Sequence, residues 1–177
     1  GMILIPFRTS CSAVVREMSD DEVLKTLRNL TRNGKLPSES VVLEIENRYA
    51  TVKTGALARL LRARIRFENN DFAGAAAILK ADVFSQKTTL GDYALWLRGR
   101  ALQSSGNHAE AMTVFAQMTK EFPTSLRTKE AKLLWADSAL QTGQAALIPA
   151  FLSELNTKHD ADSLLLTAKA FEQQTNQ

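Results

Sequence analysis

A segment of this chain returns 36 residues later in recognisable form: laying Leu60-Leu61-Arg62-Ala63-Arg64-Ile65 over Trp96-Leu97-Arg98-Gly99-Arg100-Ala101 superposes Leu61 on Leu97, Arg62 on Arg98 and Arg64 on Arg100. The same shift carries Asn70-Asp71 onto Gly106-Asn107, Ala73 onto Ala109, Ala75 onto Ala111 and Leu79 onto Phe115. One displacement therefore aligns a helix, a turn and a second helix. A helix pair of this kind presents an apolar stripe that it cannot bury alone, so successive pairs must stack and share a continuous core.

A further shift of 37 residues places Leu134 on Leu97, Ala136 on Gly99, Gly143 on Gly106 and Leu152 on Phe115, and a last one of 32 brings Ala168 to the same small-residue position. Ala63, Gly99, Ala136 and Ala168 thus form a column of small side chains, with Ala111 and Phe115 as the small and bulky members of the second helix. Glycine in a helix interior costs roughly 1 kcal/mol relative to alanine, so Gly99 signals close approach of a neighbouring helix. The pattern predicts an all-α, right-handed α-solenoid of antiparallel helix pairs. Helices are expected near 20–32, 38–51, 54–69, 71–83, 90–105, 107–121, 126–142, 145–156 and 161–174, with Ser38 or Ser40 as an N-cap. Residues 84–91 form the longest connection. Pro149, near the first turn of its helix, predicts a shifted start or a kink. Residues 1–18 show no period and are set apart as an irregular segment, leaving 19–177 as the repeat domain.

The unit from Asp92 to Ser125 resembles the tetratricopeptide repeat. Leu95 takes the usual aromatic place, Gly99 the first small place and Leu102 the next apolar one. Gly106 ends the first helix, Ala111 and Phe115 mark the second, and Phe122-Pro123 closes the unit, although Arg98 stands where the family prefers Leu. The resemblance implies that first helices line a concave face, which places Arg64, Trp96, Arg100, Asp137 and Lys169 along a groove. Two readings stand open for these residues: a surface for a peptide or glycan, or a solvated face with ordinary packing. The last helix carries Leu164, Leu165, Leu166, Ala168 and Phe171 with no second helix after it, so its open side is expected to be a cap, a contact between copies, or the start of a further repeat.

Charge and chemistry narrow the function classes. With 22 Lys and Arg against 19 Asp and Glu, a net charge of +3 gives no polycationic element, and no nucleic-acid partner is expected. Arg62, Arg64 and Arg66 are spaced by two, which scatters them around a helix rather than along one face. Cys11 is the only cysteine, which excludes an intramolecular disulfide and zinc sites built on paired cysteines. His108 and His159 fit no metal spacing and are assigned to the surface. The apolar run Met2 to Phe7 is too short for a signal core or a membrane span. No phosphate loop, nucleophile elbow or Cys–His pairing is present, so no cofactor, no metal site and no catalytic residue is expected.

The stretch from Thr54 to Gln174 also resembles the helical superhelix that precedes the catalytic domain in soluble lytic murein transglycosylases. The residues carrying this are Leu90-Gly91-Asp92-Tyr93-Ala94-Leu95-Trp96, Gly99-Arg100-Ala101-Leu102 and Phe122-Pro123-Thr124-Ser125-Leu126. It implies a place in the periplasm or cell envelope and a partner in peptidoglycan or the wall machinery; without it, the cytoplasm is the expectation. The chemistry does not carry over. Glu39-Ser40 lacks the surrounding pattern of that family's catalytic Glu-Ser pair and reads as a helix start. The chain is accordingly expected to be a non-catalytic scaffold for a protein or peptide, with a free-standing adaptor, a self-associating protein held through its C-terminal helix, and a glycan-binding module as alternatives.

Overall fold

The structure, a computed structural model, describes residues 34–176 together with Glu22, Lys25 and Asn29. The irregular segment expected over 1–18 lies outside the described residues, as does most of the helix expected near 20–32, of which Glu22, Lys25 and Asn29 are helical. The described residues contain ten α-helices and no strand: α1 (Glu39–Arg48), α2 (Lys53–Glu68), α3 (Phe72–Leu79), α4 (Val83–Lys87), α5 (Gly91–Ser104), α6 (His108–Glu121), α7 (Thr128–Gln141), α8 (Ile148–Phe151), α9 (Ser153–Thr157) and α10 (Ala161–Thr175). The longer helices pack in chain order, α1 on α2, α2 on α3, α3 on α5, α5 on α6, α6 on α7, and α7 on the segment from Ala145 onward, while the short α4 rests against α2 and α5. That is the arrangement of an α-solenoid.

What makes the chain reverse at the same point of each unit is a left-handed residue. Asn70, Gly106 and Gly143, with φ of 62°, 81° and 70°, occupy equivalent positions, and His159 repeats the conformation with φ 58°. After each one, an amide reaches back five residues to a carbonyl: Asp71 to Arg66, Asn107 to Leu102 and Gln144 to Ala139, all at 2.8 Å, and Asp160 to Leu155 at 3.0 Å. These bonds close the preceding helix end in the Schellman manner and aim the chain into the next helix. Asp71 and Asp160 then cap α3 and α10, accepting from the amides of Gly74 and Ser163 at 3.0 Å.

Close approach between first and second helices occurs where the small-residue column predicts it. A Cβ built on Gly99 would lie 2.6 Å from Cζ and 2.8 Å from Cδ1 of Phe115, a ring with no exposure. Ala63, Ala111 and Ala136 are likewise fully buried. Ala168 is not: it is exposed, and Ser163, Leu166, Thr167 and Ala170 form the buried side of α10. Among the described residues no second helix follows to cover Ala168, so a position that is interior in the earlier units faces outward here.

Two helix boundaries depart from expectation. The helix expected over 71–83 stops at Leu79, and α4 takes up the first half of the expected connection 84–91, held by buried Phe84 and by Lys87 donating to the Thr51 carbonyl at 2.8 Å. The helix expected over 145–156 is divided. A 3-10 turn at Ala145–Leu147 precedes α8, where Pro149 sits in the first turn without opposing a hydrogen bond, and α9 follows. The broken helix still packs: Phe151 stacks on Trp135 with centroids 3.8 Å apart, and Ile148 and Leu152 are fully buried.

The Gly99–Phe115 contact sets a test of the packing. Gly99→Leu should lower unfolding free energy by about 1–3 kcal/mol in urea, since the ring it meets has nowhere to move. Gly99→Ala combined with Phe115→Leu should cost less than the sum of the two single changes, because the smaller side chain makes room for the added methyl.

Candidate functional site

The arginines of α2 divide between two tasks. Arg59, Arg62 and Arg66 follow one another at spacings of three and four, and face Glu39 and Glu46, two turns apart on α1. Arg62 donates from Nη2 to Glu46 at 3.1 Å, and Arg66 donates from Nε to Glu39 at 2.7 Å and from Nη1 to the capping Asp71 at 2.6 Å. Glu39 is thus a helix-start residue held in ion pairs. Arg64 points to the other side, where the first helices α2, α5, α7 and α10 lie side by side.

On that face Arg64 donates from Nη1 to the Tyr93 hydroxyl at 2.9 Å and pairs through Nη2 with Glu68 at 2.6 Å. Burial works against its charge, but Tyr93 and Glu68 more than offset this and raise its pKa. Arg100 of α5 lies over the rings of Phe67 and Trp96, 5.3 and 5.0 Å from their centroids. Arg127, just ahead of α7, lies over Tyr93 and Trp96 at 4.8 and 4.4 Å. Its backbone is fixed by the closing loop. Ser125 donates to Asp92 at 2.6 Å and accepts the Arg127 amide at 3.1 Å, while Thr128 donates to the Phe122 carbonyl at 2.8 Å.

Trp96 requires a correction. Assigned to an open groove contact, it is only 6% exposed, pressed between guanidinium groups and Tyr93, and its indole N–H is buried with no acceptor among the described residues. Its role here is to hold Arg100 and Arg127 by cation–π attraction. Neither of those arginines has a carboxylate within salt-bridge range among the described residues. Glu68 is the acid bound into the cluster, so three guanidinium groups stand against one carboxylate. An aromatic-backed cationic surface of this kind can take up a carboxylate or similar anion.

Asp137 of α7 and Lys169 of α10 lie apart from that cluster and act on one another by charge, without an ion-pair contact among the described residues. Burial raises the Asp137 pKa although the residue keeps solvent access, as expected for a carboxylate flanked by protein on several sides, and Lys169 opposes the shift. The predicted groove residues therefore resolve into Arg64, Trp96 and Arg100 in one cluster and Asp137 with Lys169 in another; no hydrogen bond, ion pair or ring contact joins the two among the described residues. Arg127 was missed. It sits in a loop, and its repeat equivalents are Leu90 and Thr54, so the repeat carries no trace of it. His108, assigned to the surface, is half-buried, with Nδ1 3.1 Å from Oγ of buried Ser138. Among the described residues no group of three His, Cys, Asp or Glu could hold a metal ion, and no helix is long and apolar enough to cross a membrane.

Stacked helix pairs, with a Schellman turn after Asn69, Ser105 and Thr142, define a helical-repeat architecture. Residues 93–125 match the family model of the tetratricopeptide repeat, which supports a tetratricopeptide repeat family for this chain. Such repeats are non-catalytic scaffolds that generally mediate protein–protein interaction. No curated protein and no solved structure matches the chain.

The Asp137 shift has a signed consequence. A carboxylate whose folded pKa is raised disfavours the fold while ionised, and this penalty disappears as pH falls through the folded pKa. Asp137→Asn should therefore raise the thermal midpoint at neutral pH, with the gain vanishing in acid, where the wild-type carboxyl is protonated. A gain that persisted in acid would assign the effect to something other than charge.

Proposed function

We propose that the first-helix face binds a protein or peptide segment anchored by a carboxylate, and that Arg100 and Arg127 are the principal contacts, with Arg64 beside them. The observation carrying this is that two arginines sit on one indole with no acid in ion-pair range among the described residues. Like charges held this close repel, and an incoming carboxylate relieves the repulsion while forming charge-assisted hydrogen bonds. The burial of Trp96 weighs against a glycan, which needs an open aromatic face to stack upon. The residues shared with the murein transglycosylase superhelix support a partner in the bacterial wall machinery, and the chain would then act as the region that positions that machinery.

The test is a titration of acidic and neutralised peptide pools by fluorescence anisotropy, followed by the bound sequence with its carboxylate amidated. Arg100→Ala with Arg127→Ala should weaken binding about tenfold or more while circular dichroism stays unchanged, because both side chains lie on the surface of the stack. Binding should also weaken with rising salt. Full affinity in the double variant, or equal affinity for the amidated peptide, would refute the assignment.

A further inference from the structure

Arg98, which stands where the tetratricopeptide pattern prefers Leu, belongs neither to the apolar core nor to the first-helix face. Its counterpart is Arg62, 36 residues earlier. The helix that faces Arg62 is α1 and the one that faces Arg98 is α3, since α3 packs on α5 as α1 packs on α2. Arg62 is matched on every side: Nε and Nη2 both donate to Glu46, and Nη1 lies 3.7 Å from Glu39. Leu43 sits between those two acids, one helical turn from each.

Moving 34 residues along the chain exchanges Glu39, Leu43 and Glu46 for Ala73, Ala77 and Lys80. Both acids and the bulky side chain are lost, and a cation appears. A cleft of about 230 Å³ opens there, with Ala73, Ala77, Lys80, Arg98, Leu102 and Glu110 in its lining. Arg98 keeps one partner, Glu110 of α6, 2.7 Å from Nη2, and that acid also accepts from the Asn107 side-chain amide. Nε of Arg98 is buried without an acceptor, and Lys80 has no acid in ion-pair range among the described residues. Two cations thus face one shared carboxylate between apolar walls. A guanidinium withdrawn from water costs free energy until its donors are satisfied, so the site lacks the acid that the preceding helix pair supplies from its own chain.

We propose that this cleft, between α3 and the turn joining α5 to α6, is a second ligand site, for a single carboxylate on a short aliphatic stem. The carboxylate takes the place of Glu46, between Arg98 and Lys80, and the stem takes the place of Leu43, against Ala73 and Ala77. One negative charge balances Arg98, Lys80 and Glu110. A dianion brings a charge for which the lining has no further cation, and an uncharged group leaves Lys80 and Arg98 unmatched. Positions 98 and 100 fall on different sides of α5, so the site is separate from the Arg100 and Arg127 cluster and does not rest on what binds there.

The experiment follows the isotope-labelled 177-residue chain by NMR with butyrate, butyramide and N-acetylglutamate N-methylamide as probes. Butyrate should shift the backbone amides of Ala73, Ala77 and Ser105 saturably, and butyramide, which has the same shape without the charge, should not. Tighter binding of the glutamate derivative than of butyrate identifies an acidic side chain of a protein as the source of the carboxylate, and the reverse order a free small acid. Lys80→Glu, which restores the acid found in the preceding pair, should weaken butyrate binding about tenfold or more. Ala77→Leu should do the same by bulk alone, with every charge left in place; Ala77 is exposed, so the fold tolerates the change. Arg100→Ala with Arg127→Ala should leave these shifts as they are. The proposal is overturned by the absence of saturable shifts at the three amides or by equal shifts with butyramide. Full affinity in either Lys80→Glu or Ala77→Leu, or loss of the shifts in the Arg100 and Arg127 double variant, overturns it as well.

Discussion

The stack depends on how closely a first helix can approach its second. Phe115 occupies the volume a side chain would need at position 99, so the ring contacts the α5 backbone directly and fixes the separation of the pair. With that separation set, Leu97, Ala101, Ala111 and Met118 fill the interior without exposure, and the following helices continue the same layer. A larger residue at the small slot would push the pair apart and remove contacts on both sides at once. The glycine sacrifices helix propensity locally, and the gain is returned in packing.

The direction in which side chains face follows from that packing. Once one side of α2 is committed to α1, the arginines spaced by three and four on that side find Glu39 and Glu46, while Arg64 is carried round to the first-helix face. Part-buried pairs of this kind fix the register between helices more than they add stability, because bringing the ions out of water offsets much of their attraction. They also remove those arginines from any ligand. The sequence contains many cations, but the fold leaves only a few of them on aromatic surface without an acid.

The repeat makes most of the fold legible in the sequence. Position-for-position matches between Leu61 and Leu97, and between Arg64 and Arg100, located helices and turns because stacking imposes the same packing on every unit. The legibility failed where something outside the repeat took over. Helix α3 ended early because the chain between Lys80 and Gly91 formed its own short helix around Phe84, a residue with no counterpart to reveal it. Ala168 matched the column in sequence yet lies exposed, since sequence similarity registers the residue and not whether a neighbouring helix covers it among the described residues. Arg127 was invisible for the related reason that its place is set by the hydrogen bonds of a single loop. The candidate site was accordingly half legible: Arg64, Trp96 and Arg100 came together as the repeat suggested, but the indole proved to be a buried support.

That support explains how three like charges are held within one small region of the surface. Guanidinium groups are weakly hydrated and planar, so stacking on Trp96, Tyr93 and Phe67 costs them little solvation and gives each an attraction to the ring face. The aromatic rings are themselves locked, Tyr93 by its hydrogen bond from Arg64 and Trp96 by burial, and the loop carrying Arg127 is tied to Asp92 through Ser125. An anion arriving here meets groups already in place, so little side-chain entropy is lost in ordering them. The same rigidity limits what the face can accept. On the function proposed above, a cationic ligand would be repelled, a neutral one would leave the excess charge uncompensated, and a carboxylate would gain from both the charge and the fixed geometry. The proposed selectivity for an anionic segment would then arise from the stacking that holds the arginines in position, and it would be lost if the rings beneath them were free to move.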